Sequence, residues 1–346
     1  MKLLIVAQTV DTEDPVLGFF VRWIEEFAKN VEHIEVICLK LGKSDLSKNV
    51  RVHSLGKPSF AKATKGPGVR LRYVIRFLTL AWKLRNEYDA VFVHMNQEYV
   101  LIAGWLWKLL GKRVYLWRNH YAGSWLTDVA AAFCTKVFCT SKYSYTAKYK
   151  KTALMPAGVD TERFKPDTHV KRKSHSILFL SRIAPSKRPE MLIDALALLA
   201  DSGSDFTATI VGSPLPKDEV YYQSLKKRAR PFGSRIAFLP GVPNSETPDL
   251  YRAHEIFVNC SSSGMFDKTL FEAAAAGCFV LSSSEDFRVS IGERLYFSNS
   301  EELALKLEQF TQMNAEERGQ LLQALQKSAE NNSLNILGAQ LTKEIQ

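Results

Sequence analysis

The chain has 346 residues, of which 46% are hydrophobic and 24% are charged, so the composition excludes a disordered chain and predicts about two domains. The formal net charge of +10 indicates an anionic partner, which leaves a phosphorylated substrate, an anionic membrane and nucleic acid open. Five scattered cysteines, without a Cys-x-x-Cys pair or a Cys/His cluster, favour reduced thiols in a cytoplasm over disulfides or zinc.

Strand-like runs alternate with helix-length amphipathic segments in the first half of the chain, which is the pattern of a parallel α/β sheet. The short apolar start MKLLIVA predicts a first strand and not a signal peptide. A helix is predicted over 19–30, because its large apolar residues recur at core spacing. The predicted strands cover residues 3–7, 34–39, 50–54, 90–94, 114–117 and 136–140.

The segment 57–85 contains eight lysines and arginines and no acidic residue. Its helical part, 69–84, adds aromatic and aliphatic side chains to this positive charge. A basic amphipathic helix of this kind can lie on an anionic membrane surface. The alternative is a packed helix with a solvated basic face.

The polar segment 164–175 predicts a linker between two α/β blocks. We therefore expect an N-terminal domain over 1–165 and a C-terminal domain over 166–346, with the last helix, 334–345, packing back on the N-terminal domain. The predicted strands of the second half cover residues 177–181, 207–212, 235–239, 256–259, 279–282 and 295–297. The predicted helices between them cover residues 189–200, 221–229, 247–252 and 267–276.

The stretch 259–281 leads from a strand through three serines and a glycine into a helix. Asp267 is expected to cap that helix by accepting from the N–H groups of its first turn, and Gly277 to end it. Glu272 does not suit a packing helix, because its carboxylate lies among alanines. It is therefore either a ligand-binding carboxylate or the partner of Lys268 in an i,i+4 pair.

Three strand-to-helix loops carry further candidates. Arg182 and Lys187 follow the strand 177–181, and two cations beside a helix N-terminus can bind a diphosphate. Gly212 ends the next strand and allows a ligand to approach the backbone. Val242 lies in LPGVPNSE, where the backbone could support a flat base. Taken singly, the Gly212 and Val242 segments indicate turns rather than a binding site.

Taken together, these segments resemble the C-terminal half of a large family of retaining glycosyltransferases, family 4 or glycosyltransferase group 1. The motifs that carry the resemblance are SRIAPSKRPEMLIDAL, IVGS, FLPGV, LYRAHEIFVNCSSS and KTLFEAAAAGCFVLSS. LWRNH, FCTSKYS and MPAGVDTERFKP in and after the first half match more weakly. The resemblance implies the GT-B fold, in which two Rossmann-like parallel-sheet domains face each other across a cleft.

The resemblance also implies roles for individual residues. Arg182 and Lys187 would bind the diphosphate of a nucleotide-sugar donor. His120 would lie near the donor sugar, in an N-terminal domain that binds the acceptor. These three residues would be catalytic. Glu272 would hold the ribose hydroxyls, and Val242 would contact the base through its backbone.

One departure puts the identity of the donor in doubt. The family has a second glutamate eight positions before the ribose-binding one, and this chain has Gly264 there. The family's Gly-Phe-Gly is replaced by Met265, Phe266 and Asp267. We expect the N–H groups of 265–268 to contact the donor sugar instead, with Lys268 reaching the diphosphate rather than Glu272.

The expected reaction is a metal-independent front-face transfer, with retention, to a glycan or lipid-linked saccharide acceptor. No cofactor is expected, because the nucleotide sugar is a substrate, and no Asp-x-Asp motif ends an apolar run. We expect a cytoplasmic protein, peripheral to the inner face of the membrane through 57–85, that does not bind nucleic acid. Two alternatives stay open, a catalytically degenerate relative that only binds glycans and a basic nucleic-acid-binding protein.

Overall fold

The computed structural model describes residues 1–57, 67–201, 203, 205–264 and 266–346. The chain forms two compact units, one of Met1–Met155 with Asn335–Gln346 and the other of Pro156–Leu334. The division lies upstream of the predicted boundary at 165/166. Ala157, Val159 and Phe164 account for this difference, because they are buried in the core of the second unit.

The first unit contains a seven-stranded parallel sheet in the order β3-β2-β1-β4-β5-β6-β7. Its central strands are buried on both faces, which explains their nearly continuous apolar sequences. The short edge strand β7 was not predicted, since three residues carry too little pattern. The strands are β1 (Lys2–Val10), β2 (His33–Leu41), β3 (Val50–Ser54), β4 (Ala90–His94), β5 (Arg113–Trp117), β6 (Lys136–Cys139) and β7 (Thr152–Leu154). The helices between them are α1 (Phe19–Ala28), α2 (Pro67–Lys83), α3 (Glu98–Leu109) and α4 (Trp125–Phe133).

The second unit contains a five-stranded parallel sheet in the order β10-β9-β8-β11-β12. Its strands are β8 (Lys173–Leu180), β9 (Thr207–Val211), β10 (Ile236–Leu239), β11 (His254–Asn259) and β12 (Phe279–Ser282). Its helices are α5 (Glu190–Asp201), α6 (Glu219–Ala229), α7 (Thr247–Ala253), α8 (Lys268–Ala275), α9 (Glu285–Ile291), α10 (Ser300–Gln312) and α11 (Ala315–Asn331).

The prediction of a strand over residues 295–297 is wrong. A 3-10 turn covers Glu293–Leu295, and Tyr296 forms only a single bridge to Ser282. Leu295 and Phe297 are buried, so their apolar pattern reflects packing under the sheet and not a ladder of hydrogen bonds.

The strand order of the second unit reverses between β8 and β11. β9 follows β8 on one side of the sheet, and β11 lies on its other side. The carboxyl ends of β8 and β11 therefore flank a topological switch point, which is where parallel α/β sheets bind ligands. The loops that follow these two strands carry Lys187 and Asp267.

The last helix, α12 (Leu334–Ile345), packs within the first unit. Leu337 and Leu341 are buried, and the Tyr115 hydroxyl donates to the carbonyl of Ile345 at 3.1 Å. Both units are thus parallel-sheet α/β structures, as the alternation of strands and helices predicts. Within the described ranges, no helix is both long and apolar enough to cross a membrane.

Candidate functional site

Lys187 lies at the switch point of the second sheet. It ends a 3-10 turn, Pro185–Lys187, that follows β8. Its ammonium Nζ lies 2.6 Å from Oδ2 of Asp267 and 3.1 Å from Oγ of Ser261. The Lys187 and Asp267 side chains are 14% and 19% exposed, so this ion pair is shielded from water on most sides.

Asp267 occupies the N-cap position of α8, but its side chain does not cap the helix. That prediction is wrong, because the carboxylate has a stronger partner in the adjacent loop. Its Oδ2 accepts from Lys187, from the Ser261 hydroxyl at 2.6 Å and from the Asn259 amide at 3.2 Å. Burial opposes ionisation of Asp267, but the charge of Lys187 and these hydrogen bonds outweigh it and hold the pKa below its usual value. The carboxylate is therefore ionised at neutral pH.

Arg188 is a structural residue of this edge that the sequence did not single out. It has a left-handed backbone, with a φ of 48°. Its guanidinium donates to the carbonyl of Cys260 at 2.7 Å and to the Ser283 hydroxyl at 2.8 Å. Arg188 thus ties together the loops that follow β8, β11 and β12. The signal that could have pointed to it was its place directly after Lys187.

Arg182 is exposed in the loop after β8. Its carbonyl accepts from the Ser181 hydroxyl at 3.0 Å. Within the described chain, no hydrogen bond or ion pair engages its guanidinium. The side chain is therefore available to an anionic ligand, and its binding of a diphosphate stays a prediction.

Glu272 lies in the second turn of α8 and is 6% exposed. Oε2 accepts a hydrogen bond from the fully buried Tyr251 hydroxyl at 3.0 Å. Burial raises the pKa of Glu272, and the charge of Lys268 and the Tyr251 hydroxyl oppose that rise. A buried carboxylate with one protein donor keeps capacity to accept further hydrogen bonds from a ligand.

Lys268 interacts electrostatically with Glu272 and with Asp160. Burial lowers the pKa of Lys268 to about 7, although both carboxylates favour its charged form. The charges of Lys268 and Glu272 thus influence each other, and the i,i+4 pair and the ligand-binding role both stay predictions. Phosphate binding by Lys268 stays a prediction.

The backbone of the loop before α8 favours a glycine at position 264. Gly264 has a φ of 90°, and its N–H donates to Oδ2 of the buried Asp286 at 3.0 Å. A glutamate at this position would therefore be strained. Phe266 packs edge-to-face on Phe271 at 4.9 Å between ring centroids. Met265, which was predicted to contact the donor, lies outside the described residues, and the backbone contact of Phe266 stays a prediction.

Gly212 and Val242 lie in the loops after β9 and β10. A Cβ atom on Gly212 would stand 1.9 Å from the carbonyl oxygen of Ser181, so the glycine allows two loops to pack together. This gives Gly212 a structural role at the edge of the site. Val242 packs partly against the core, and its N–H and C=O bond to no backbone group of the described chain. Both groups can therefore contact a ligand.

His120 follows β5 in the first unit. Its Nδ1 lies 2.9 Å from the backbone N of Ala122 and 3.3 Å from the Ala122 carbonyl oxygen, and its ring stacks on Tyr121 at 4.6 Å between centroids. Both neutral tautomers are compatible with these contacts. The Ala122 backbone therefore orients the His120 ring at the carboxyl edge of its own sheet.

In the part of the chain that the structure describes, no group of three or more His, Cys, Asp or Glu side chains is arranged to hold a metal ion. Asp11, the first acid of the Asp11–Asp14 segment, pairs with Lys40 at 3.2 Å and accepts from two backbone N–H groups. Its oxygens are thus used within the protein.

Residues 160–328 match a family model described as Glycosyl transferases group 1. The chain is 29% identical over 147 residues to mannosylfructose-phosphate synthase of Agrobacterium fabrum, covering 38% of this chain and 32% of the relative. It is 30% identical over 155 residues to D-inositol 3-phosphate glycosyltransferase of Streptomyces avermitilis, covering 40% and 33%. The chain thus spans about a third of the length of these curated relatives.

Two solved structures are similar over nearly the full length of the chain. Sucrose-phosphate synthase from Thermosynechococcus elongatus has a TM-score of 0.80 at 15% identity, with 99% of this chain and 98% of the other covered. Anabaena HepE in complex with UDP and glucose has a TM-score of 0.77 at 17% identity, covering 100% and 99%. The fold is the GT-B type, and it agrees with the family domain in the second unit.

Proposed function

We propose that this protein is a retaining glycosyltransferase that moves a sugar from a nucleoside diphosphate sugar to a glycan or a lipid-linked saccharide. The observation that carries the proposal is the contact of Lys187 with Asp267 at the N-terminus of α8, at the switch point of the second sheet. The buried carboxylate of Glu272 follows in the second turn of the same helix. A cation, a helix N-terminus and a carboxylate at one sheet edge fit the diphosphate and the ribose of one ligand.

Lys187 and Arg182 supply the electrostatics of the transfer. The barrier lies in breaking the bond between the anomeric carbon and the diphosphate, while negative charge grows on the leaving oxygens. Lys187 has three N–H donors, and Asp267 and Ser261 use two of them. The third donor and the exposed guanidinium of Arg182 can stabilise the leaving diphosphate in the transition state.

The N-terminus of α8 contributes to the same task. Because Asp267 turns to Lys187, its side chain does not occupy the first-turn N–H groups of the helix. These groups and the helix dipole favour an anion at this end. Glu272 would then accept from the ribose hydroxyls on the other side of the diphosphate.

The family resemblance implies that His120 of the first unit lies near the donor sugar, and this role is part of the proposal. The Ala122 backbone orients the His120 ring. In the front-face mechanism that we propose, the leaving diphosphate accepts the proton of the acceptor hydroxyl. No metal enters this scheme, because fixed cations of the protein neutralise the leaving group.

The relatives narrow the donors that should be tried first. Anabaena HepE is described in complex with UDP and glucose, and a relative from Mycolicibacterium smegmatis is described as GDP-mannose-dependent. The base would meet the backbone of Val242, which offers both a donor and an acceptor.

The function is tested by the release of nucleoside diphosphate from UDP-, GDP- and ADP-sugars, with and without EDTA. We expect release from one donor class, faster with a saccharide acceptor and unchanged by EDTA. Proton NMR of the product should show the anomeric configuration of the donor. No release from any of the three classes would contradict the proposal, and an absolute requirement for Mg²⁺ or Mn²⁺ would contradict its metal-independent form.

We also propose that the first unit binds an anionic membrane surface through α2. The described part of the basic segment begins at residue 67, and residues 58–66 lie outside it. Phe77 and Ala81 of α2 are buried, whereas Leu71, Ile75 and Trp82 are 59%, 56% and 49% exposed. A solvated basic face would not need these apolar side chains in water, so their exposure beside the arginines supports a lipid surface.

Membrane binding is tested by sedimentation with phosphatidylcholine vesicles and with vesicles that contain phosphatidylglycerol. Arg70 and Arg72 are exposed and should be reversed to Glu, whereas Arg76 should be kept because it donates to a backbone carbonyl at 3.2 Å. Reversal of the exposed Lys171 and Lys217 of the second unit is the matched control. We expect salt-sensitive binding to the anionic vesicles that only the α2 variant loses. Equal binding of the two variants to the anionic vesicles would contradict the proposal and favour a packed helix with a solvated basic face.

A further inference from the structure

The carboxylate of Asp267 is held through only one of its two oxygens. Oδ2 accepts all three of the hydrogen bonds described above, from Lys187 at 2.6 Å, Ser261 at 2.6 Å and Asn259 at 3.2 Å. Within the described part of the chain, Oδ1 accepts none. The side chain is 19% exposed, so it is fixed in orientation and yet open on one side.

Asp267 shares Lys187 with any diphosphate that binds there. The sugar of a nucleoside diphosphate donor is bonded directly to that diphosphate, so a donor held at Lys187 brings its sugar next to the Asp267 carboxylate. An ionised carboxylate accepts hydrogen bonds and repels negative charge, so it discriminates between donor sugars by their polar groups.

The loop lacks the glutamate that the family has at position 264, so that carboxylate is not there to accept a hydrogen bond from the donor sugar. Gly264 has no side chain, and its N–H is bound to Asp286 at 3.0 Å. Phe266 packs on Phe271 and presents no polar group. Among the described side chains of the loop 264–267, Asp267 alone carries an acceptor.

We propose that Asp267 determines donor specificity, with Oδ2 anchored by Lys187, Ser261 and Asn259 and Oδ1 accepting a hydrogen bond from a hydroxyl of a neutral donor sugar. This inference rests on the proposed function. The donor class that it selects is a nucleoside diphosphate hexose without a carboxylate, and a uronic acid donor is rejected by like charge.

The test compares matched donors that differ only in that charge. Affinities are measured by titration calorimetry for UDP, UDP-glucose and UDP-glucuronate, and for GDP, GDP-mannose and GDP-mannuronate. We expect the wild type to bind the neutral donor of its own base at least tenfold more tightly than the matched uronate, which corresponds to about 1.4 kcal/mol. Equal affinities, or a preference for the uronate, would overturn the proposal without any variant.

Asp267→Asn keeps the size of the side chain and removes its charge. We expect it to reduce the preference for the neutral donor to less than about threefold, because about 1.4 kcal/mol of discrimination comes from the carboxylate. Free nucleoside diphosphate should bind as well as before or more tightly, since Lys187 no longer shares its charge with an anion. Asp249→Asn, at an exposed acid of the same unit, is the matched control and should keep the wild-type ratio.

Two outcomes with the variant would overturn the proposal. If Asp267 only orients Lys187, Asp267→Asn weakens the diphosphate and both donors in parallel and leaves their ratio unchanged. If Oδ1 faces away from the sugar, Asp267→Asn binds both donors with wild-type affinity, and the ratio of the two affinities is unchanged. A wild type that binds no nucleoside diphosphate would instead refute the proposed function itself, which distinguishes the two failures.

Discussion

Replacing Tyr251 by Phe should destabilise the second unit by about 1.5–3 kcal/mol, because it leaves a buried carboxyl group without its hydrogen-bond donor. The hydroxyl donates to Glu272 at 3.0 Å, and the two residues are 0% and 6% exposed. Phe keeps the ring that packs edge-to-face on Phe257, so the change leaves no cavity of a whole side chain. For a unit of this size each kcal/mol shifts the melting temperature by about 2–4 °C, so we expect a fall of roughly 3–12 °C.

The loss should depend on pH in a defined direction. Burial raises the pKa of Glu272, and Lys268 and the Tyr251 hydroxyl oppose the rise, so Tyr251→Phe raises the pKa further. A carboxyl with a folded pKa above its unfolded value binds its proton more tightly in the native state. Its destabilising effect is therefore complete above the folded pKa and fades as the pH falls towards the unfolded value. The deficit of the variant should be largest at neutral pH and should shrink on acidification.

Thermal unfolding followed by circular dichroism at neutral and mildly acidic pH measures both effects. Tyr222→Phe is the matched control, because no residue of the described chain hydrogen-bonds its hydroxyl, while its ring packs on Phe238. The reasoning would be refuted if Tyr251→Phe had the same melting temperature as Tyr222→Phe at neutral pH. It would also be refuted if the loss of stability of Tyr251→Phe, relative to the wild type, grew as the pH was lowered.

Four further substitutions test the site. Alanine at Arg182 or Lys187 should lower turnover by ~10²-fold or more in steady-state kinetics, and normal turnover in both variants would contradict the assignment. Lys187→Ala alone should also lower the melting temperature, since it leaves the Asp267 carboxylate without its charged partner. Lys268→Ala should weaken donor binding at least tenfold by calorimetry, about 1.4 kcal/mol, and unaltered binding would leave it as the partner of a buried carboxylate only. Gly212→Ala should cost about 1–3 kcal/mol in urea unfolding, because its Cβ would lie 1.9 Å from a backbone carbonyl; a wild-type midpoint would show that the loop yields freely.

Much of the fold follows from local pattern. The buried parallel strands β1 and β8 are apolar runs followed by amphipathic helices, and this alternation predicts α/β units. The position of Lys187 was predictable too, because a loop after a parallel strand lies at the carboxyl edge of its sheet. Glu272 was detectable because a carboxylate among alanines does not suit a packing helix.

The interactions that the sequence could not supply join distant residues. Asp267 is a good N-cap by local rules, but Lys187, 80 residues earlier in the chain, offers its carboxylate a charged partner at 2.6 Å. The boundary between the units also depends on packing, because Phe164 lies in a polar segment and yet is buried in the second core. Neither the pairing nor the burial leaves a periodic signal.

Donor binding by the second unit is tested most directly by calorimetric titration of UDP, GDP and ADP against the wild type and Glu272→Gln. We expect one of the three nucleotides to bind the wild type, and its affinity to fall at least tenfold in the variant, about 1.4 kcal/mol, because the ribose hydroxyls lose a charged acceptor of the same shape. A wild type that binds none of the three, or a variant that binds as the wild type does, would contradict a nucleotide-sugar site at the N-terminus of α8.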